Sequence, residues 1–167
     1  MLQCPAVAIR PLSVDELAAI LTSDHEAIEE EVPTFNADLR SEDQEQELLS
    51  ACPSLITIVG SHDSRVAQFS HFSVKEFLTS DRLPTQGDGI SRYHILPDVA
   101  HTTFARVSLR VLLRLDDLVD RRTAMSIPLA MYAATYWVSH SQVGSVSSRV
   151  MGIVKILFDS DKPHFAA

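Results

Sequence analysis

Residues 55–78 read Leu55-Ile56-Thr57-Ile58-Val59-Gly60-Ser61-His62-Asp63-Ser64-Arg65-Val66-Ala67-Gln68-Phe69-Ser70-His71-Phe72-Ser73-Val74-Lys75-Glu76-Phe77-Leu78. Leu55–Val59 is short, β-branched and apolar, Gly60–Ser64 is a run of turn formers, and Arg65–Phe69 has the composition to pair back. The stretch predicts a β-hairpin. Two strands are not stable in water alone, so the hairpin must lie on helices. Ser73-Val74-Lys75-Glu76 then has the spacing of a capping box, in which a serine hydroxyl and a glutamate three residues on satisfy each other's backbone amides. It predicts a short helix with Val74, Phe77 and Leu78 on one face. Phe69 and Phe72, on either side of His71, are expected in the core.

Helices surround this hairpin. On the N-terminal side, Ser13-Val14-Asp15-Glu16 is another capping box, and Val14, Leu17, Ala18 and Leu21 follow at helical spacing. Ser41-Glu42-Asp43 predicts a more polar helix to about Ala51, with Leu48, Leu49 and Cys52 buried and Pro53 as its stop. On the C-terminal side, Pro84 to Gly89 is expected as a loop and Arg92-Tyr93-His94-Ile95 as extended chain. Pro97-Asp98 then begins a long helix to about Asp116, carrying Ala100, Phe104, Val107, Val111 and Leu115 inward. A break near Asp120–Ile127 leads to Pro128 and a helix buried through Ala130, Ala133, Ala134, Trp137 and Val138. A last helix carries Val146, Val150, Ile153, Val154 and Leu157. The expected class is mainly α: a winged helix (helices plus a β-hairpin wing) over residues 1–84, followed by a helical bundle over residues 90–167.

Composition narrows the function. The chain has 167 residues, 46% hydrophobic and 22% charged, enough to bury a core and unlike a disordered chain. Its formal net charge of −8 opposes nucleic-acid binding, which needs clustered positive charge. The charge is lopsided. Residues 1–50 hold two basic against twelve acidic residues, and the acidic excess runs from Asp24 to Glu47, expected as a solvated helix end and loop. Arg121-Arg122 is expected as a solvated pair. Cys4 and Cys52 cannot build a disulfide framework, which favours a reducing compartment. No apolar run reaches the roughly 20 residues of a membrane span.

Motifs for chemistry are missing. There is no phosphate-binding Gly-x-x-x-x-Gly-Lys sequence and no Gly-x-Ser-x-Gly elbow. The seven histidines, His25, His62, His71, His94, His101, His140 and His164, show no close metal-ligand spacing. Ser70 and His71 are adjacent, and on a strand they would point to opposite faces, unsuited as nucleophile and base. No catalytic residue, metal or cofactor is therefore assigned to the chain itself. Tyr136 and Trp137 are expected as core packing.

Phe69-Ser70-His71-Phe72-Ser73-Val74-Lys75-Glu76-Phe77-Leu78 resembles the winged-helix motif of NACHT-type signal-transduction NTPases, the NOD-like receptor or STAND class, roughly F-x-H-x-S-x-(Q/K)-E-F. More narrowly, the chain is similar to the segment after the NACHT module in fungal proteins ending in ankyrin or similar repeats, described as a winged helix like that of GPI inositol-deacylase-related proteins. Ala8–Leu17, Ser54–Val59, Tyr93–Ile95 and Pro128–Trp137 carry the likeness onward in the same order. The resemblance implies a cytoplasmic, non-enzymatic regulatory module with two partners, a NACHT domain and a repeat domain. It would bind neither nucleic acid nor membrane, and would act in innate-immunity-like non-self recognition or cell-death signalling. It implies that nucleotide, ADP or ATP, belongs to the separate NACHT domain, and that His71 reaches the phosphates of its ADP. Ser73 and Glu76 would fix the helix after His71, and Phe69, Phe77 and Leu78 would pack. The NACHT half and the repeats are not among these 167 residues. The alternatives are a DNA-binding winged helix, or a degenerate fragment without independent activity.

Overall fold

The computed structural model describes residues 2–22, 44–52, 54–60, 65–115 and 127–160. The acidic stretch Asp24–Asp43, the turn Ser61–Ser64 and the Arg121-Arg122 pair lie outside the described residues. The chain divides into two compact units, one holding residues 2–21 and 44–100, the other residues 22, 101–115 and 127–160 among those described.

In the first unit a short helix α1 (Gln3–Val7) precedes strand β1 (Leu12–Ser13), helix α2 (Val14–Thr22), helix α3 (Gln44–Ala51), strands β2 (Ile56–Val59) and β3 (Val66–Phe69) and helix α4 (Phe72–Leu78). The hairpin is as the sequence predicts, antiparallel, with Val59 opposite Val66 and Ile56 opposite Phe69. The sequence did not reveal β1. Its two residues add a third strand on the free side of β3, Leu12 opposite Ala67, giving the order β1-β3-β2. Two residues have no alternation to read, so only the partner strand makes them a strand.

The first capping box forms. The Glu16 amide donates to Ser13 Oγ at 3.1 Å and the Ser13 amide to Glu16 Oε2 at 2.9 Å. Glu16 is buried, and Arg10 compensates its charge with a two-pronged contact at 2.8 and 2.6 Å. Leu17 and Ile20 are wholly buried behind it.

The expected loop at Pro84–Gly89 is instead a 3-10 turn (Leu83–Gln86) followed by a one-turn helix α5 (Asp88–Ser91). Gly87, at φ +94°, makes the reversal between them, a conformation side-chain-bearing residues avoid. Arg92-Tyr93 is correspondingly a turn rather than extended chain. Ala6, Leu78, Leu83, Ile95 and Ala100 form one core cluster, with Phe69 and Val74 against it. The Ile95 amide bonds to the Leu78 carbonyl at 2.8 Å and ties α4 to the chain beyond α5.

The second unit contains most of helix α6 (Pro97–Arg114), helix α7 (Ala130–Ser141) and helix α8 (Val146–Leu157). Ala105 and Leu109 of α6 meet Val146 and Val150 of α8, with Trp137, Ile153, Val154 and Leu157 around them. The stripes expected on α6 and α8 face inward. On α7 the expected stripe holds at Ala130, Ala133 and Trp137, but Ala134 and Val138 are exposed, and the buried face runs instead through Tyr132, His140 and Ser141. Alanine weakens a hydropathy pattern, and a buried histidine reverses its sign at one position, so periodicity shifted one edge of the face.

Candidate functional site

The motif of residues 69–78 spans the end of β3 and all of α4. The strand stops at Phe69, and Ser70 is pinned to the start of the hairpin, its amide on the Leu55 carbonyl at 3.0 Å and its hydroxyl donating to the Ser54 carbonyl at 2.9 Å. His71 is the N-cap of α4, with extended backbone, and its Nδ1 accepts from the Ser73 amide at 3.2 Å. Ser73 Oγ lies 2.7 Å from the same nitrogen.

This corrects the expected capping box. The helix begins at Phe72, so Ser73 already lies inside the first turn and the imidazole, not the Ser73–Glu76 pair, holds the helix end. The sequence signal missed it because histidine is not among the usual caps. The consequence is chemical. A ring nitrogen that accepts a hydrogen bond carries no proton, so neutral His71 is the Nε2–H tautomer. Its remaining donor sits on an exposed residue at the head of a helix.

Phe72 is a second correction. Expected in the core, it is 68% exposed, and its ring lies 4.5 Å from that of His71. Phe77, expected as packing, is 46% exposed. Phe69 is half-buried and Leu78 buried, as expected. Glu76 is exposed. The motif thus has an inner half, which anchors α4, and an outer half, which presents His71, Phe72 and Phe77. Beside it lies an open, mainly apolar pocket of about 640 Å³, lined among others by Cys52, Leu55, Ser73, Val74, Phe77 and Tyr93. Arg92 lies over the Tyr93 ring at 4.8 Å.

Ser70 and His71 face different partners, so they form no nucleophile–base pair. Cys4 is buried, and burial pushes its thiol up to about 11, away from the reactive thiolate. Among the described residues no three His, Cys, Asp or Glu side chains gather as a metal site, and no helix is long and apolar enough to cross a membrane.

Comparison with known proteins places this geometry. Residues 1–88 match the GPI inositol-deacylase winged helix domain family, and the chain belongs to that family. The matched region contains the sheet, the capped α4 and the pocket residues up to Leu83. The chain is also 32% identical over 138 residues to the azaphilone pigments biosynthesis cluster protein L of Monascus ruber, which covers 78% of this chain and 28% of that protein. The chain thus corresponds to less than a third of its relative. No solved structure matches it.

Proposed function

We propose that the chain is a non-enzymatic regulatory module of a NACHT-type signal-transduction NTPase, and that His71 and its flanking aromatics form the face that meets the nucleotide-bearing domain. The observation that carries this reading is the outward half of the motif: His71 with a fixed Nε2–H donor, in ring contact with exposed Phe72. A large exposed ring against a polar donor supports a contact site, and a neutral imidazole N–H is a donor suited to a phosphate oxygen. The NACHT domain, with its own phosphate-binding loop, supplies the ADP or ATP. The module lies over it, and exchange of nucleotide shifts the balance between two arrangements. Membership of the winged helix family and the relative's much greater length support a module working within a larger assembly. The setting is cytoplasmic and fungal, in non-self recognition or cell-death signalling. A repeat domain is the second partner.

The test is the ADP dissociation rate of a complex between this chain and a cognate NACHT domain, in cis or added in trans. His71→Ala should accelerate ADP release by about tenfold, the equivalent of one charge-assisted hydrogen bond of about 1.4 kcal/mol. An unchanged rate rejects the role of His71. The isolated chain should show no ATP binding by calorimetry.

A further inference from the structure

The pocket beside α4 has a polar corner. Its walls come from several stretches of the first unit. α4 supplies Val74, Phe77 and Leu78, spaced to share one face of the helix. Leu55 comes from the start of the hairpin, and Ile90 and Tyr93 come from α5 and the turn after it. Leu78 is buried in the core cluster, whereas Phe77, Ile90 and Tyr93 are about half exposed. The pocket therefore has a packed floor and an apolar rim open to water, a surface that gains by being covered.

At the Tyr93 corner the hydrogen bonds leave donors over. An Arg92 guanidinium N–H donates to the Tyr93 hydroxyl oxygen at 2.9 Å, and the guanidinium lies over the Tyr93 ring at 4.8 Å. A phenol that accepts a hydrogen bond keeps its own proton to give, and a guanidinium carries five N–H groups. Among the described residues Arg92 makes no ion pair, and neither the Tyr93 proton nor the other guanidinium hydrogens meet an acceptor. One apolar volume thus adjoins one positive charge and one hydroxyl donor. A cavity of about 640 Å³ is of the size that takes a small molecule. A single guanidinium balances a single negative charge, and the formal net charge of −8 on the chain gives a doubly charged head no further compensation.

We propose that this pocket binds a small amphiphilic monocarboxylate of the fatty-acid class, its tail against Val74, Phe77 and Ile90 and its carboxylate on Arg92 and Tyr93. The carboxylate accepts from the guanidinium and the phenol together, and the tail covers the half-exposed rim. His71 and Phe72 are not part of the wall, so the site stands apart from the contact proposed for them and needs no second domain.

Calorimetric titration of the full chain with sodium octanoate and decanoate, each below its micelle concentration, and with 1-decanol tests it. Decanoate should saturate one site, and affinity should rise about fourfold for each added methylene. Decanol, which lacks the charge, should bind about tenfold more weakly than decanoate. Arg92→Gln, a change at an exposed side chain, should weaken decanoate about tenfold and leave decanol unchanged. Ile90→Glu, on the rim, should weaken both at least tenfold. Equal affinities for decanoate and decanol, or decanoate binding indifferent to Arg92→Gln, overturn the proposal. Should Arg92→Gln fail to fold, the comparison of decanoate with decanol on the unaltered chain decides. Absence of saturable binding also overturns it, and if Ile90→Glu then weakens association with a NACHT domain, the pocket belongs to a protein partner.

Discussion

The two units place their histidine chemistry in opposite ways. In the first, His71 sits at a helix end, exposed, with a partner two residues away. In the second, His140 sits in the core, with a partner 39 residues away. The first arrangement fixes a tautomer while leaving a donor for a neighbour. The second uses both nitrogens internally and leaves nothing for a ligand. A polar group at an element end serves contact, whereas one inside a core serves specificity of packing and has to be fully satisfied.

The sharpest way to break this contrast is to remove the aromatic floor of the buried site. Phe104→Ala should destabilise the second unit by about 3–5 kcal/mol, because a wholly buried ring leaves a cavity against His140 and Tyr132. Urea unfolding followed by Trp137 fluorescence measures it. Arg10→Ala tests the buried charge of the first unit. It strips Glu16 of its fork and should cost about 2–3 kcal/mol, seen as faster amide exchange in residues 14–22. Within the same frame, His71→Ala should cost only about 1 kcal/mol of stability, the worth of a helix cap. Phe72→Ser should alter stability by less than about 0.5 kcal/mol, since the ring is mostly in solvent, yet weaken association with a NACHT domain. A large loss of stability from Phe72→Ser would place that ring in the core and remove the proposed contact face.

The pH dependence separates the units further. His140 has a lowered pKa in the folded chain, about 4 against an ordinary value of 6.5. The unfolded chain therefore binds more protons between those two values, and stability falls as pH drops through that window. Above pH 6.5 the contribution is fully present. The melting temperature measured by Trp137 emission should fall between pH 6.5 and about 4, and His140→Phe should flatten that slope.

Local signals in the sequence were strong where the structure is local. The hairpin register follows from two β-branched runs around a turn, and the Ser13–Glu16 box from a three-residue spacing. The histidine cap of α4 was hidden behind the serine two positions on, which has the spacing of a cap but lies inside the first turn. On α7 the stripe is right at Ala130, Ala133 and Trp137 but wrong at Ala134 and Val138, because alanine-rich helices give little hydropathy contrast. No spacing rule joins His101 to His140.

Sequence alone determined the hairpin, the helix starts at Val14 and Pro97, and the absence of motifs for nucleotide binding or hydrolysis, because these depend on neighbours within a few residues. Tertiary structure decided that β1 is a strand, that Phe72 and Phe77 face outward, and that two imidazoles 39 positions apart lie 2.8 Å from each other. Each of these depends on which surface another part of the chain covers, and coverage is a property of packing that no local pattern encodes.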